Sequence, residues 1–197
     1  MSVMSSFEGI FCRSAPWGMV ADWVILPLID DDYDWSGTVL ELGGGAGTMA
    51  DRLLRDHAEI EKLVLVDVDP AMVRSAGARL ARHGDRAEVV LTDGAALPVD
   101  PGSVDVVCAW LMLHHVIEWK PLLEKAFGAL RPGGRLVGYD LSRAVLGDVL
   151  HGVTRSEYLL IDPGELREEL TRIGFGDVQV HSKALGQLMT FTAVRPA

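Results

Sequence analysis

The chain is short of cysteine. Cys12 and Cys108 are its only two in 197 residues, far apart and in unlike surroundings. That argues against a stapling disulfide and fits a reducing compartment. It also rules out a zinc array built from paired cysteines and histidines, and no metal is expected. Long apolar runs are missing too. Trp23-Val24-Ile25-Leu26-Pro27-Leu28-Ile29 is too short to cross a bilayer and is ended by Asp30-Asp31-Asp32. The first residues carry no basic head of the signal-peptide kind. The expectation is a cytoplasmic protein without a membrane partner. Positive charge is scarce: 18 Lys and Arg stand against 28 Asp and Glu, a net charge of −10. Phosphate contacts dominate nucleic-acid affinity, so no nucleic-acid partner is expected either.

Apolar residues make up 49% of the chain, and glycines number 21. That supplies the core of one domain, or of one domain with a small appendage. The most telling stretch is Val39-Leu40-Glu41-Leu42-Gly43-Gly44-Gly45-Ala46-Gly47, followed by Thr48-Met49-Ala50-Asp51-Arg52-Leu53-Leu54. It reads as strand, tight turn and helix. Glycine is required where the backbone turns sharply and approaches a ligand. The helix start offers N–H groups to that ligand. Glu41 stands out, because a carboxylate before the loop suits a cation better than a phosphate.

After the glycines, strands and helices alternate. Strands are expected at 38–42, 63–68, 87–91, 104–110 and 135–140. Helices are expected from the glycines to about His57, from Asp69-Pro70 to near His83-Gly84, and from about Lys120 to Leu130. Continuous Val and Leu runs mark strands buried on both faces, hence a parallel sheet covered by helices. The tail reads differently. Asp162-Pro163-Gly164-Glu165 opens a helix to about Ile173-Gly174, and strands at 178–181 and 188–194 form an antiparallel hairpin. Residues 1–36 precede the sheet. Their aromatic and apolar residues recur at helical spacing, so they are expected to form a helical cap, with Trp17, Trp23 or Arg13 near a substrate.

In an open parallel sheet, ligands bind beyond the C-terminal strand ends. Those ends carry Glu41, Asp67, Asp93 and, past Ala109-Trp110, the pair His114-His115. Asp67 lies about twenty residues beyond the glycines, where an acid accepts hydrogen bonds from both ribose hydroxyls. Asp93 can accept from an adenine amine. Glu41 can hold an ammonium or sulfonium group. Together they suit a nucleoside bearing a cationic amino-acid arm.

These residues resemble the motifs of class I S-adenosylmethionine-dependent methyltransferases, in the small-molecule group. E-x-G-x-G-x-G is met by Glu41, Gly43, Gly45 and Gly47. Val66-Asp67-Val68-Asp69-Pro70-Ala71-Met72, Thr92-Asp93-Gly94-Ala95-Ala96-Leu97-Pro98, Val104–His115 and Leu130–Leu136 follow in order. The resemblance implies a Rossmann-like seven-stranded α/β sheet in order 3-2-1-4-5-7-6 with strand seven antiparallel. It implies S-adenosylmethionine as cofactor and S-adenosylhomocysteine as product. By resemblance, Gly43 and Gly45 line the methionine arm with Glu41 nearby, and Asp67 takes the ribose. Val68 and Met72 pack on adenine, Asp93 takes its amine, Gly94 or Ala95 adds a backbone contact, and Ala109 offers its carbonyl to the amino group.

Methyl transfer is an in-line attack on a sulfonium methyl, so alignment is the main task. A base helps when the nucleophile carries a proton. His115 is the first choice and His114 the second, with only one expected to face the pocket because adjacent side chains diverge. Tyr139, Asp140 and Tyr158 are further candidates, the two tyrosines also as substrate contacts. The stretch between Ser142 and Ile161 leaves no room for a separate substrate domain. The acceptor, an O, N, S or C nucleophile of specialised metabolism, is then small, or its pocket is completed by a second copy in a homo-oligomer. The rivals are an NAD(P)-binding oxidoreductase, since Gly45-Ala46-Gly47-Thr48-Met49-Ala50 fits G-x-G-x-x-A, and an S-adenosylmethionine-binding protein that does not methylate.

Overall fold

The Val-rich runs and the tail hairpin join one sheet. The computed structural model describes residues 35–92, 96–142 and 159–197. Its strands are β1 (Gly37–Leu42), β2 (Ile60–Asp67), β3 (Ala87–Leu91), β4 (Val104–Trp110), β5 (Leu130–Leu141), β6 (Gly176–Lys183) and β7 (Leu188–Val194). Their order is β3-β2-β1-β4-β5-β7-β6, as expected. The strands from β3 to β5 run parallel, and β7 is antiparallel to both β5 and β6.

Helices cover both faces. On one side, α1 (Thr48–Asp56) buries Met49, Ala50, Leu53 and Leu54, and α2 (Pro70–Leu80) adds Ala76 and Leu80. A nine-residue helix is marginal in isolation. Burial of its large apolar side chains, each worth about 1.5–3 kcal/mol, is what holds α1 in place. On the other side, α3 (Trp119–Ala129) buries Trp119, Leu122, Leu123, Ala126 and Ala129, while α4 (Pro163–Ile173) buries Leu166 and Leu170. The Asp69 side chain caps α2 by accepting from Ala71 N–H, and Asp162 caps α4 through Gly164 and Glu165.

Several boundaries differ from the sequence reading. β2 begins three residues earlier than read, at Ile60, because Gly37 pairs with Ile60 and the polar stretch Glu61-Lys62 lies at the sheet's exposed end. β5 begins at Leu130, not Arg135. Leu130 pairs with Val104, a register shift follows, and Gly133 and Gly134 exchange backbone hydrogen bonds with Arg195 at 2.8 Å. The Arg-Pro-Gly-Gly run is thus a kink within a strand. α2 stops at Leu80, and a 3₁₀ segment, Ala81–Arg86, completes the connection through Gly84 at φ 59°.

The expected cap, residues 1–36, lies outside the described residues save its last two. Of these, Trp35 is buried, its ring centroid 6.1 Å from that of Trp110. Residues 143–158 also lie outside; on either side of them, Ser142 and Ile161 form a parallel bridge. No described helix is long and apolar enough to cross a membrane.

Candidate active site

β1 delivers the chain to the rim through the glycine run. Gly43 adopts φ 61°, and a Cβ there would sit 2.9 Å from Met112 Cβ. A Cβ on Gly44 would come 2.4 Å from the Leu65 side chain and 3.0 Å from the carboxyl carbon of Glu41. Gly45, at φ 54°, has nothing within 4 Å of where its Cβ would be. One glycine therefore admits Met112, the next admits Glu41 and Leu65, and the third leaves open space. Gly47, at φ 76°, is the N-cap of α1.

Glu41 lies beneath this loop with 1% of its surface exposed. Its Oε2 has no hydrogen-bond partner among the described residues. Burial, with the charge of Asp67 second, pushes its carboxyl up to about 8. A carboxyl held neutral by desolvation, with one oxygen unpartnered, is prepared to ionise toward an arriving cation. Beside it on β4, the thiol of Cys108 is driven well above its ordinary value by burial and then by Glu41, so it is inert as a nucleophile.

Asp67 ends β2, nearly buried. Its Oδ2 accepts from Gly45 N–H and its Oδ1 from Asp69 N–H, both at 2.8 Å. Burial raises its carboxyl above the usual range, against the pull of those bonds. Val68 N–H is a third backbone donor to this carboxylate, whose remaining acceptor capacity can still take a hydroxyl. Val68 is half-buried beside it, and Met72 is buried in the first turn of α2. Thr92 N–H donates to Asp67 O at 3.0 Å, tying the end of β3 to this rim. Asp93, Gly94 and Ala95 come directly after Thr92 and lie outside the described residues, as do Trp17, Arg13 and Tyr158.

The next strand end turns abruptly. Leu111 takes a left-handed conformation at φ 52°, uncommon for a residue other than glycine. Its N–H donates to Tyr139 O at 2.9 Å. A 3₁₀ turn, Leu113–His115, follows. The two histidines do not diverge: their ring centroids are 4.0 Å apart, with His114 buried and His115 half-buried. His114 Nδ1 lies 2.5 Å from Asp140 Oδ1 at the end of β5. Strand alternation sends Tyr139 to the opposite face, into an aromatic row with Trp110 and Trp35. Ala109 is buried, its carbonyl near Gly138, where a Cβ would meet it at 2.5 Å.

The rim thus joins residues far apart in sequence: an acid with one unpartnered oxygen, an acid held by backbone N–H groups, open space over Gly45, and a histidine pair. S-adenosylmethionine fits this set. Glu41 offers an acid to a cation, and Asp67 offers an acceptor to hydroxyls. A pyrophosphate would face two acids. A methyltransferase-domain family profile matches residues 39–134, from β1 into β5. That matched stretch, just under half of the chain, is a class I S-adenosylmethionine-dependent methyltransferase domain.

The methyltransferase domain is 30% identical over 111 residues to ubiquinone/menaquinone biosynthesis C-methyltransferases of Salmonella arizonae and Salmonella newport. That alignment takes in 55% of this chain, which spans less than half (44%) of those relatives' length. In three dimensions it is similar to a chain of the complex between the Haloferax volcanii Trm112 methyltransferase activator and a methyltransferase. There the TM-score is 0.78 and the identity 21%, covering 100% of both chains. It is also similar to Haemonchus contortus phosphoethanolamine N-methyltransferase 2, with TM-score 0.77 and 16% identity over 99% of this chain and 61% of that one. These structural likenesses speak for the fold.

Two roles escaped the sequence reading. Gly44 matters for the space it leaves to Glu41, which only the packing of Leu65 reveals. Asp140 was weighed only as a reacting group, yet it is tied to His114 across 26 residues. Its position at a strand end was the one signal available.

Proposed function

We propose that this chain transfers a methyl group from S-adenosylmethionine to a small-molecule acceptor. The observation that carries the reading is Glu41, a buried acid with an unpartnered oxygen at the mouth of a glycine loop whose Gly45 side is open. When bound, the cofactor supplies an electrophilic methyl on a sulfonium. Gly43 and Gly45 would line its methionine arm, with Glu41 beneath. Asp67 would hold the ribose, Val68 and Met72 the adenine face, and Ala109 the amino group. Asp93, Gly94 and Ala95 complete the adenine side in this reading. Trp17, Arg13 and Tyr158 are the proposed acceptor contacts, and His115 and His114 the proposed bases; Tyr139, expected from the sequence as a contact, is buried on the opposite face of the sheet and is not among them. The quinone and phosphoethanolamine named for the relatives and structural neighbours make small acceptors the first to screen.

Calorimetric titration with S-adenosylhomocysteine and with NAD tests the cofactor. Binding of the first alone is expected, and Asp67→Ala should weaken it at least about tenfold, since it removes charge-assisted hydrogen bonds. NAD binding without S-adenosylhomocysteine binding would return the dinucleotide rival. A labelled-methyl screen across small acceptors then tests the reaction; transfer to protein or nucleic acid only would overturn the small-molecule part.

A further inference from the structure

Asp140 is 1% exposed, and both its oxygens are engaged. Oδ2 accepts from the backbone N–H of Leu113 at 2.6 Å and of His114 at 3.3 Å. Oδ1 accepts from Leu141 N–H at 2.6 Å and faces His114 Nδ1 at 2.5 Å. Holding the turn after β4 would need only the backbone bonds. The remaining partner is a buried imidazole. An ionised carboxylate accepts and cannot donate, so the proton of that bond belongs to Nδ1. In a neutral imidazole, Nε2 is then the basic nitrogen. Four bonds from one acid thus fix the turn, the ring and its tautomer together.

Resting on the methyl-transfer reading, we infer that Asp140 is a positioning residue that holds His114 as its Nδ1–H tautomer, and that His114 rather than His115 takes the acceptor's proton. A general base works when its geometry is held by supporting groups, and the ring tied to Asp140 meets that need. In the step, the acceptor atom bonds to the methyl carbon and the carbon–sulfur bond breaks. The electron pair of that bond goes to sulfur, which leaves as a neutral thioether. The acceptor's proton passes to His114 Nε2. The His115 ring, tilted 41° against that of His114 at 4.0 Å, forms one wall of the base.

The test uses the full chain labelled with ¹⁵N-histidine. Long-range proton–nitrogen correlation spectra at pH 8, with and without S-adenosylhomocysteine, report the tautomer, and His114→Gln identifies its signals. A protonated Nδ1 and a basic Nε2 are expected in both spectra; an Nε2–H tautomer overturns the inference. Asp140→Asn should lose the single tautomer and Asp140→Glu should restore it. If Asp140→Asn does not fold, the wild-type and Asp140→Glu spectra decide. With an accepted substrate, Asp140→Asn should lower kcat about 10²-fold or more, leave the cofactor KM within twofold, and cost more than His115→Gln. A larger loss in His115→Gln overturns the assignment. Failure to bind S-adenosylhomocysteine would sink the methyltransferase reading instead, and the tautomer would still report on the pair.

Discussion

Glu41 shows what a single residue can carry. Its carboxyl stays protonated in the folded chain up to about pH 8, whereas an unfolded chain releases that proton near its ordinary value of about 4.3. Between those limits the folded state binds more protons, so this residue's effect on stability becomes more unfavourable as pH rises and levels off above 8. The cost reaches the order of a few kcal/mol. Glu41→Gln should therefore melt above the wild type at pH 8, and the gap should close toward pH 5. The same variant should bind S-adenosylhomocysteine at least about tenfold more weakly, because a neutral amide cannot pair with an ammonium. A thermal-shift series across pH and one calorimetric titration measure both. Asp51 behaves oppositely. Its bonds to Arg82 and His83 outweigh burial and hold its carboxyl below the usual range. Its stabilisation is complete above the unfolded value and is lost as pH falls through the folded one.

Elements near the site are held by side chains that serve stranded carbonyls. Arg86, at the end of the 3₁₀ segment before β3, donates to Ile60 O, Leu54 O and His57 O at 3.0, 3.2 and 2.8 Å. Leu54 belongs to the last turn of α1, whose final carbonyls lack helical partners. Arg86→Ala should cost about 1–3 kcal/mol, readable by urea unfolding. Replacing the N-cap Asp162 by Ala should cost about 1 kcal/mol, since only the bonds to Gly164 and Glu165 are lost. The Asp162 cap was legible in sequence, because Asp-Pro-Gly-Glu is a local signal. The Arg86 clamp was not, because its partners lie 26 to 32 residues away.

Across the whole molecule, the sheet's middle depends on close backbone approach. A Cβ on Gly138 would lie 2.3 Å from the Phe191 ring of β7 and 2.5 Å from Ala109 O of β4. Gly138→Ala should cost about 1–3 kcal/mol and lower the melting temperature by roughly 2–10 °C. It should also weaken S-adenosylhomocysteine binding, because the displaced Ala109 carbonyl belongs to the proposed cofactor rim. A variant melting like the wild type with unchanged affinity would refute that coupling.

The sequence alone determined the sheet. Runs of Val and Leu bounded by Gly, Asp and Pro are local, and parallel winding leaves few arrangements for them. It also determined which acids stand at strand ends, because motif order places Glu41 and Asp67 on one rim. Tertiary structure decided the rest. Whether Glu41 is neutral depends on desolvation by Leu65 and its neighbours. Whether Asp140 faces His114 or the aromatic row of Tyr139 depends on strand parity and on the turn at Leu111. Those are properties of packing between segments distant in the chain. Sequence periodicity sees only neighbours, so the glycine loop could be read as a place for a cationic ligand, while the tuning of the acids and bases around it had to wait for the fold.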